Sequence, residues 1–385
     1  MSGAVGPISP PATIGMLGGG QLGKFALMAS TQMGYRTIVL DPDPAAPASV
    51  VADEHLVAAY DDRIALAEMA QRCAVVTTEF ENPPAEALSW LAERTRVAPS
   101  PHAVSIAQDR IAEKRFLVDN GFPVGPHQVL TDDAAAAHID GPSIIKTARL
   151  GYDGKGQRTV RDDAELMAAW AELGGVPCVI EEQLALDTEV SVVVGRRVDG
   201  DVETYAVAEN SHADGILDLS IVPANVSAEL ADRATGLAMA IADALDYCGV
   251  LAVEMFVVGG ELLVNELAPR PHNSGHWTID ASVTSQFEQQ IRAVCGQALG
   301  SPEMTTPAVA MVNLLGDVWG DPPDADAGPD WTAALGDATV KLHLYGKAEP
   351  RPGRKMGHLT VRSNVASEAA SRAMAVRDAL DVRPR

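Results

Sequence analysis

The sequence predicts a soluble α/β enzyme of two to three domains, and three observations carry that expectation. At 385 residues the chain is too long for one ordinary core. Hydrophobic residues make up 47% of it and aromatics only 4%, an Ala- and Val-rich set suited to helices packed against parallel strands. From the start, short apolar runs alternate with helical stretches, the signature of βαβ units.

In chain order, Thr13–Leu17 reads as an apolar strand. It is followed by Gly18-Gly19-Gly20-Gln21-Leu22-Gly23, a helical stretch to Met33, a second strand over Arg36–Leu40, and Asp41. Residues 73–78 read as another buried strand and residues 85–94 as a helix, so the first hundred residues form a small doubly wound unit. After Pro99 and Pro101 a helix is expected over 103–120, then a strand over 143–146 and a Gly-rich loop. Strands at 179–181, 189–194 and 202–208 suggest an antiparallel sheet, and a long helix spans 228–245. Residues 250–258 and 261–265, joined by Gly259-Gly260, form a hairpin. From about Thr305 come short strands, an acidic loop at 317–330 and a basic run at 341–358.

The formal charge of −23 excludes a general affinity for nucleic acid, because no basic surface exists to displace counterions from phosphates. An anionic ligand must instead meet the local basic clusters at 146–158 and 341–358. Cys73, Cys178, Cys248 and Cys295 show neither CxxC pairing nor zinc spacing. They fit buried thiols in a reducing compartment. Residues 1–12 lack a charged n-region and an apolar h-region, and no run of eighteen apolar residues occurs, so the cytoplasm is expected.

Four features point to chemistry. Gly18-x-Gly20-x-x-Gly23 between a strand and a helix, with Asp41 after the next strand, meets most sequence tests for a nicotinamide-dinucleotide site, yet nothing later supplies a hydride-transfer centre. Lys146 ends a strand and precedes Gly151-Tyr152-Asp153-Gly154-Lys155-Gly156-Gln157, a loop whose amides could fold over a triphosphate while the lysine meets phosphate oxygens. Glu254 and Glu266 lie across the hairpin in apolar surroundings, where two carboxylates repel unless a cation such as Mg²⁺ joins them. The run Asn265-Glu266-Leu267-Ala268-Pro269-Arg270-Pro271-His272-Asn273-Ser274-Gly275-His276-Trp277 mixes carboxylate, guanidinium and imidazoles as no core strand requires. Its prolines and glycine argue against a helix that would pair His272 with His276 on zinc. Glu181-Glu182-Gln183-Leu184 could present strand-end backbone to an adenine edge, with Glu189 on ribose hydroxyls.

These features in this order, together with Gln108-Asp109-Arg110 and Pro352-Gly353-Arg354-Lys355-Met356-Gly357-His358, resemble the ATP-grasp ligases, and among them the carboxylating branch of purine biosynthesis. The resemblance runs from Ile14 to about Thr360. It implies an α+β ATP-grasp fold: a doubly wound pre-ATP-grasp domain over 1–102, an ATP-grasp domain over 103–300 with a mobile lid at about 120–185, and a small β-rich C-terminal portion over 301–385. It further implies ATP-dependent carboxylation of 5-aminoimidazole ribonucleotide by bicarbonate through carboxyphosphate, with ADP and phosphate as products and a homodimer as the working form. A relative that uses formyl phosphate, or a biotin-dependent carboxylating ligase, would share the ATP site.

By the same resemblance ATP meets Arg110, Lys146, Gly151, Tyr152, Asp153, Gly154, Lys155, Gly156, Gln157, Glu181, Glu182, Gln183, Leu184, Glu189, His212, Asn265 and Glu266, with Glu254 and Glu266 on Mg²⁺. Arg354 and Lys355 are expected at the sugar phosphate. Glu79, Tyr152, Asp153, Lys155, Arg270, His272, Asn273, Ser274 and Lys347 are expected around the imidazole and carboxylate. Asp153, Arg270, His272 and Lys347 are the catalytic candidates, with Asp153 or His272 taking the amine proton. Lys24-Phe25 and Gln289-Gln290 depart from the usual pairs of that branch and carry no assigned role, and residues 1–12 are an extension without a counterpart.

Overall fold

A computed structural model describes residues 6–131, 137–151, 155–320 and 328–380. The first unit is a five-stranded parallel sheet of β1 (Thr13–Leu17), β2 (Arg36–Leu40), β3 (Glu54–Leu56), β4 (Val75–Thr78) and β5 (Arg96–Val97), in the order β3-β2-β1-β4-β5. Ile14, Met16, Leu17, Val75 and Val76 are fully buried, as strands covered on both faces require. The strand order reverses at β1, so the β1 and β4 carboxyl ends open a crevice there. The helix Arg63–Arg72 was not anticipated from the sequence; Asp62 starts it by accepting from the Ile64 and Ala65 amides.

The helix expected over 103–120 is two helices, Pro101–Ala107 and Arg110–Asp119. Asp109 takes an extended conformation and its carboxylate accepts from the Ile111 and Ala112 amides, so a new cap forms where continuation was expected. The break puts Arg110 at the first turn of the second helix. Next comes an antiparallel sheet of β6 (His127–Leu130), β7 (Ser143–Thr147), β8 (Gln157–Val160) and β9 (Cys178–Glu182), in the order β6-β9-β7-β8. It has its own core of Leu130, Ile145, Val160, Leu166, Cys178 and Ile180. The glycine loop joins β7 to β8.

The third sheet has nine strands: β10 (Thr188–Arg196), β11 (Val202–Thr204), β12 (Ala208–Ala213), β13 (Ile216–Val222), β14 (Gly249–Val258), β15 (Glu261–Ala268), β16 (Ala308–Leu315), β17 (Val340–Leu344) and β18 (Lys355–Ser363). Their order is β15-β14-β10-β12-β13-β16-β18-β17, with β11 paired to β10. The strand expected over 202–208 is split. Thr204 faces Val194 and Ala208 faces Ser191, so the chain spends one residue more than β10 does, and Tyr205 turns inward to donate to the Thr284 carbonyl. β14 and β15 are joined by Gly259 and Gly260, both at positive φ, as a primed two-residue turn demands. The last strands extend this same sheet, and the helix Ala366–Asp378 packs on them.

Alternation assigns the faces. Val190, Val192, Val194, Leu251, Val253 and Met255 pack with Ala238, Ile241 and Ala242 of the helix Ala228–Ala244. Glu189, Ser191, Ala252 and Glu254 therefore share the other face. In β15 the register shifts by one residue at Asn265, between Glu266 opposite Glu254 and Val264 opposite Met255. That bulge turns Glu266 onto the face of Glu254 while Val264 and Leu267 both stay in the core. Among the described residues no helix is long and apolar enough to cross a membrane.

Candidate active site

On the nucleotide side, Lys146 of β7 and Lys114 of the helix Arg110–Asp119 converge on Glu181 of β9. Lys114 Nζ lies 2.8 Å from Glu181 Oε1, and Lys146 contacts Oε2. Burial pushes the Glu181 carboxyl up, but the two lysines outweigh it and hold it at about 2. Lys114 also donates to the Asn265 carbonyl at 3.0 Å, tying the bulge to the helix. Arg110 reaches the carbonyls of Thr147 (3.4 Å) and Gly151 (3.3 Å) on either side of the start of the glycine loop, and lies 3.5 Å from Glu266 Oε2.

Of the loop itself, Gly151, Lys155, Gly156 and Gln157 are described, whereas Tyr152, Asp153 and Gly154 lie outside the described residues. Gly156 has φ +72° and a Cβ there would stand 2.7 Å from Thr147 Oγ1, so glycine is required. Glu189 lies 2.9 Å from His212. Burial opposes charge on that imidazole, but Glu189, with Glu254 and Glu266 farther off, raises its pKa nonetheless. The expectation of open backbone at the end of β9 is only partly met: the Glu182 and Gln183 amides already donate to the Pro126 and Pro142 carbonyls.

Glu254 and Glu266 face each other across β14 and β15. Glu254 is buried and His272 Nε2 lies 2.9 Å from its Oε1. Burial would raise this carboxyl, yet the imidazole against it, with His212 and Lys355 beyond, keeps it low and ionised. Among the described residues no group of three or more His, Cys, Asp and Glu is disposed to hold a metal. Two carboxylates, with Arg110 3.5 Å from Glu266, are oxygen donors of the kind a hard divalent cation takes when phosphate oxygens and water complete its shell.

On the other side stand Glu79, Arg270, Lys347, Arg354, Lys355 and the turn His272–Ser274. Glu79 accepts from the Gly20 amide (2.8 Å) and the Gly23 amide (2.9 Å), and Asp41 accepts from the Gly19 amide (2.7 Å). The amides that make a dinucleotide fingerprint are thus already taken by the protein's own carboxylates. Burial pushes the Glu79 carboxyl up; the two amides, Arg270 and Lys347 offset only part of it. Arg270 contacts Glu81, a residue the sequence did not single out, and burial lowers its guanidinium to about 10. Lys347 Nζ donates to the Lys355 carbonyl at 2.8 Å and Arg354 to the Glu349 carbonyl at 2.8 Å. Asn273 is buried, and neither of its amide atoms is hydrogen-bonded among the described residues.

His276 does not accompany His272. Its ring lies 4.8 Å from that of His358, which stacks at 4.6 Å on His343, with Phe25 and Tyr345 around them. The last histidines of the Asn265–Trp277 run and of the Pro352–His358 motif thus dock the turn after β15 against β18. Lys24 and Gln290 also find structural work, donating to the Tyr345 carbonyl (3.1 Å) and the Thr77 hydroxyl (2.9 Å).

Comparison with known proteins agrees with this geometry. Residues 11–108 match the ribonucleotide synthetase pre-ATP-grasp domain, 115–287 the ATP-grasp domain, and 309–372 the phosphoribosylaminoimidazole carboxylase C-terminal domain. The chain is 45% identical over 360 residues to the N5-carboxyaminoimidazole ribonucleotide synthase of Brucella melitensis, covering 92% of this chain and 97% of that one. The chain belongs to the N5-carboxyaminoimidazole ribonucleotide synthase family.

As a member of that synthase family it is an ATP-grasp ligase. The synthase of Bacillus subtilis is 43% identical over 358 residues, covering 92% of each chain. The Staphylococcus aureus synthetase crystallised with ADP superposes with a TM-score of 0.88 at 36% identity, covering 96% of this chain and 98% of that one. The Aspergillus clavatus synthase, crystallised with ADP and 5-aminoimidazole ribonucleotide, gives 0.86 at 29% identity with the same coverage.

Lys114, Glu113, Glu81 and Gln108 were not singled out for roles in this synthase. For the first two a signal exists. Arg110, Glu113, Lys114 and Leu117 are spaced i, i+3, i+4 and i+7, which puts charges on the stripe a surface helix would bury. Glu113 accepts from the Leu267 amide, and burial raises it to about 8. Gln108, contacted by the Arg149 guanidinium, donates to the Glu81 carbonyl at 3.4 Å. Gln108 stands in the Gln108-Asp109-Arg110 motif without a role of its own, and nothing in its sequence context announces Glu81.

Proposed function

We propose that this protein carboxylates the exocyclic amine of 5-aminoimidazole ribonucleotide, joining bicarbonate to it at the expense of ATP. The observation that carries the reading is the junction at β15: Glu266 opposite Glu254 on one side, and half-buried Arg270 and His272 with buried Asn273 within seven residues on the other. One short run thereby spans a phosphoryl-transfer site and an acceptor site.

Bicarbonate is a poor electrophile, so its oxygen first takes the γ-phosphoryl group, with ADP leaving and carboxyphosphate formed. Lys146, held by Glu181, and Arg110, held by the loop carbonyls, stabilise charge on the transferring group. Mg²⁺ bound by Glu254 and Glu266 would supply further charge stabilisation on the phosphate oxygens. The amine then attacks the activated carbon and phosphate departs. Arg270 and Lys347 hold the carboxylate, Asp153 accepts the amine proton, and closure of the glycine loop keeps water from the labile intermediate. Arg354 and Lys355 meet the ribose phosphate, and Asn273, whose buried amide has no partner among the described residues, meets a polar edge of the acceptor. The enzyme is proposed to act in the cytoplasm as a homodimer, which light scattering at micromolar concentration would test.

The decisive assay is phosphate release from MgATP. It should require bicarbonate and 5-aminoimidazole ribonucleotide together. Equal release without the ribonucleotide, or release driven by formate with another amine, would overturn the assignment.

A further inference from the structure

One face of the central sheet carries a polar row where apolar residues would pack. Glu266 faces Glu254, Glu254 faces Ser191, and Ser220 faces Asn210, so polar side chains run across β15, β14, β10, β12 and β13. Ser191, Asn210, Ser220 and Ser274 are all buried. Buried hydroxyls and amides are costly unless hydrogen-bonded, and here each is joined to the next. Ser220 Oγ donates to Asn210 Oδ1 at 2.7 Å, Asn210 Nδ2 to Ser191 Oγ at 2.8 Å, and Ser191 Oγ to Ser274 Oγ at 2.9 Å. Ser274 Oγ lies 2.9 Å from His272 Nδ1, and His272 Nε2 lies 2.9 Å from Glu254 Oε1.

The direction of this chain is fixed at the imidazole. The Ser274 backbone N–H points at His272 Nδ1 from 3.3 Å, and a backbone amide can only donate, so Nδ1 is the acceptor and carries no proton. An imidazole whose Nδ1 accepts carries its hydrogen on Nε2, which lies 2.9 Å from Glu254 Oε1 and donates to it. Each hydroxyl in the chain then gives its single proton toward the ring. Both ring nitrogens are committed: the Nδ1 lone pair to Ser274, the Nε2 proton to Glu254.

We infer that His272 is a positioning residue and not the base: a neutral Nε2–H imidazole, its tautomer set by the Ser220–Asn210–Ser191–Ser274 chain, that aims the Glu254 carboxylate at the cation. It has no free lone pair for the amine proton. The same arrangement, a ligating carboxylate fixed by a hydrogen bond from behind, is what a metal site needs to hold its geometry. The inference rests on Glu254 being a ligand in the proposed reaction, but its nitrogen resonances and its MgADP titration are read without the acceptor.

Two measurements test it. In ¹⁵N-histidine-labelled protein, with His272 assigned by the signals lost in His272→Gln, Nδ1 should resonate as an unprotonated and Nε2 as a protonated nitrogen. A protonated Nδ1 would overturn the inference. The second is a MgCl₂ titration of ADP binding by calorimetry. His272→Ala should raise the Mg²⁺ concentration for half-maximal binding by ~10-fold or more, in line with loss of a hydrogen bond to a charged group. His272→Gln, which keeps an N–H for Glu254, should stay within about threefold, and Ser191→Ala should fall between them. If both His272 variants bind MgADP like the parent but lose turnover equally, His272 is the base and the inference fails. Loss of acceptor-dependent phosphate release alone would instead count against the proposed reaction.

Discussion

The molecule contains two glycine-rich turns that each follow a strand and could each cradle phosphate, and they differ in what their surroundings offer an anion. At Gly18–Gly23 the amides are met by carboxylates: Glu79 takes the Gly20 and Gly23 N–H groups and Asp41 takes that of Gly19. At the turn after β7 the surroundings are cationic: Lys146 and Lys114 converge on Glu181, and Arg110 holds the loop by two carbonyls. The first turn resembles a dinucleotide fingerprint more closely, yet its anion position is filled from within. A glycine pattern states that backbone can approach something; the side chains facing it decide what.

The largest expected effect comes from stripping the second turn of its charge. Lys146→Ala should cut kcat/KM for ATP by ~10²–10³-fold, the scale of one lost charge stabiliser at a developing oxyanion. Loss below tenfold in steady-state kinetics would move phosphoryl transfer away from this lysine. Arg270→Ala should lower acceptor-dependent turnover by roughly 10²-fold while MgADP affinity stays within about twofold, because the guanidinium faces Glu81 on the acceptor side. Calorimetry and phosphate release on the same preparation separate the two.

The pH dependence sharpens the contrast inside the cationic region. Glu181 is held at about 2 by its lysines, whereas Glu113, one residue before Lys114, is raised to about 8 by burial. A carboxyl raised on folding binds more protons in the native than in the unfolded state between its two pKa values, so its contribution is present at low pH and is lost as pH rises toward 8. Glu113→Gln should therefore gain on the parent across that window, by roughly 1–3 kcal/mol at pH 8, seen as a smaller fall of Tm between pH 5 and pH 8. An equal fall in both proteins would show Glu113 ionised at ordinary cost. The smallest expected effect is none: NADH fluorescence should not change on mixing, since carboxylates already take the Gly19, Gly20 and Gly23 amides of the first turn.

Much of this was legible in the residues. The βαβ start, the β14–β15 hairpin and the order of Lys146, the glycine loop, Glu181, Glu254 and Glu266 follow from apolar periodicity, and the structure pairs Lys146 with Glu181 and sets Glu254 opposite Glu266. What escaped was of two kinds. Local capping overrode periodicity at Asp109, where a helix expected to run through 103–120 restarts and so delivers Arg110. Non-local pairing was invisible: Ser191, Asn210 and Ser220 sit on separate strands, and only register makes them one row. The bulge at Asn265 is of the same kind, since a single shifted residue decides which face Glu266 occupies.

The most direct test of the two-turn contrast is calorimetric titration of MgADP into the parent, Glu79→Gln and Lys146→Ala, with Tm confirming that each is folded. The expected result is parent-like affinity in Glu79→Gln and at least ~10-fold weaker binding in Lys146→Ala. Weakened binding in Glu79→Gln with parent-like affinity in Lys146→Ala would place the nucleotide at the first turn and contradict the assignment.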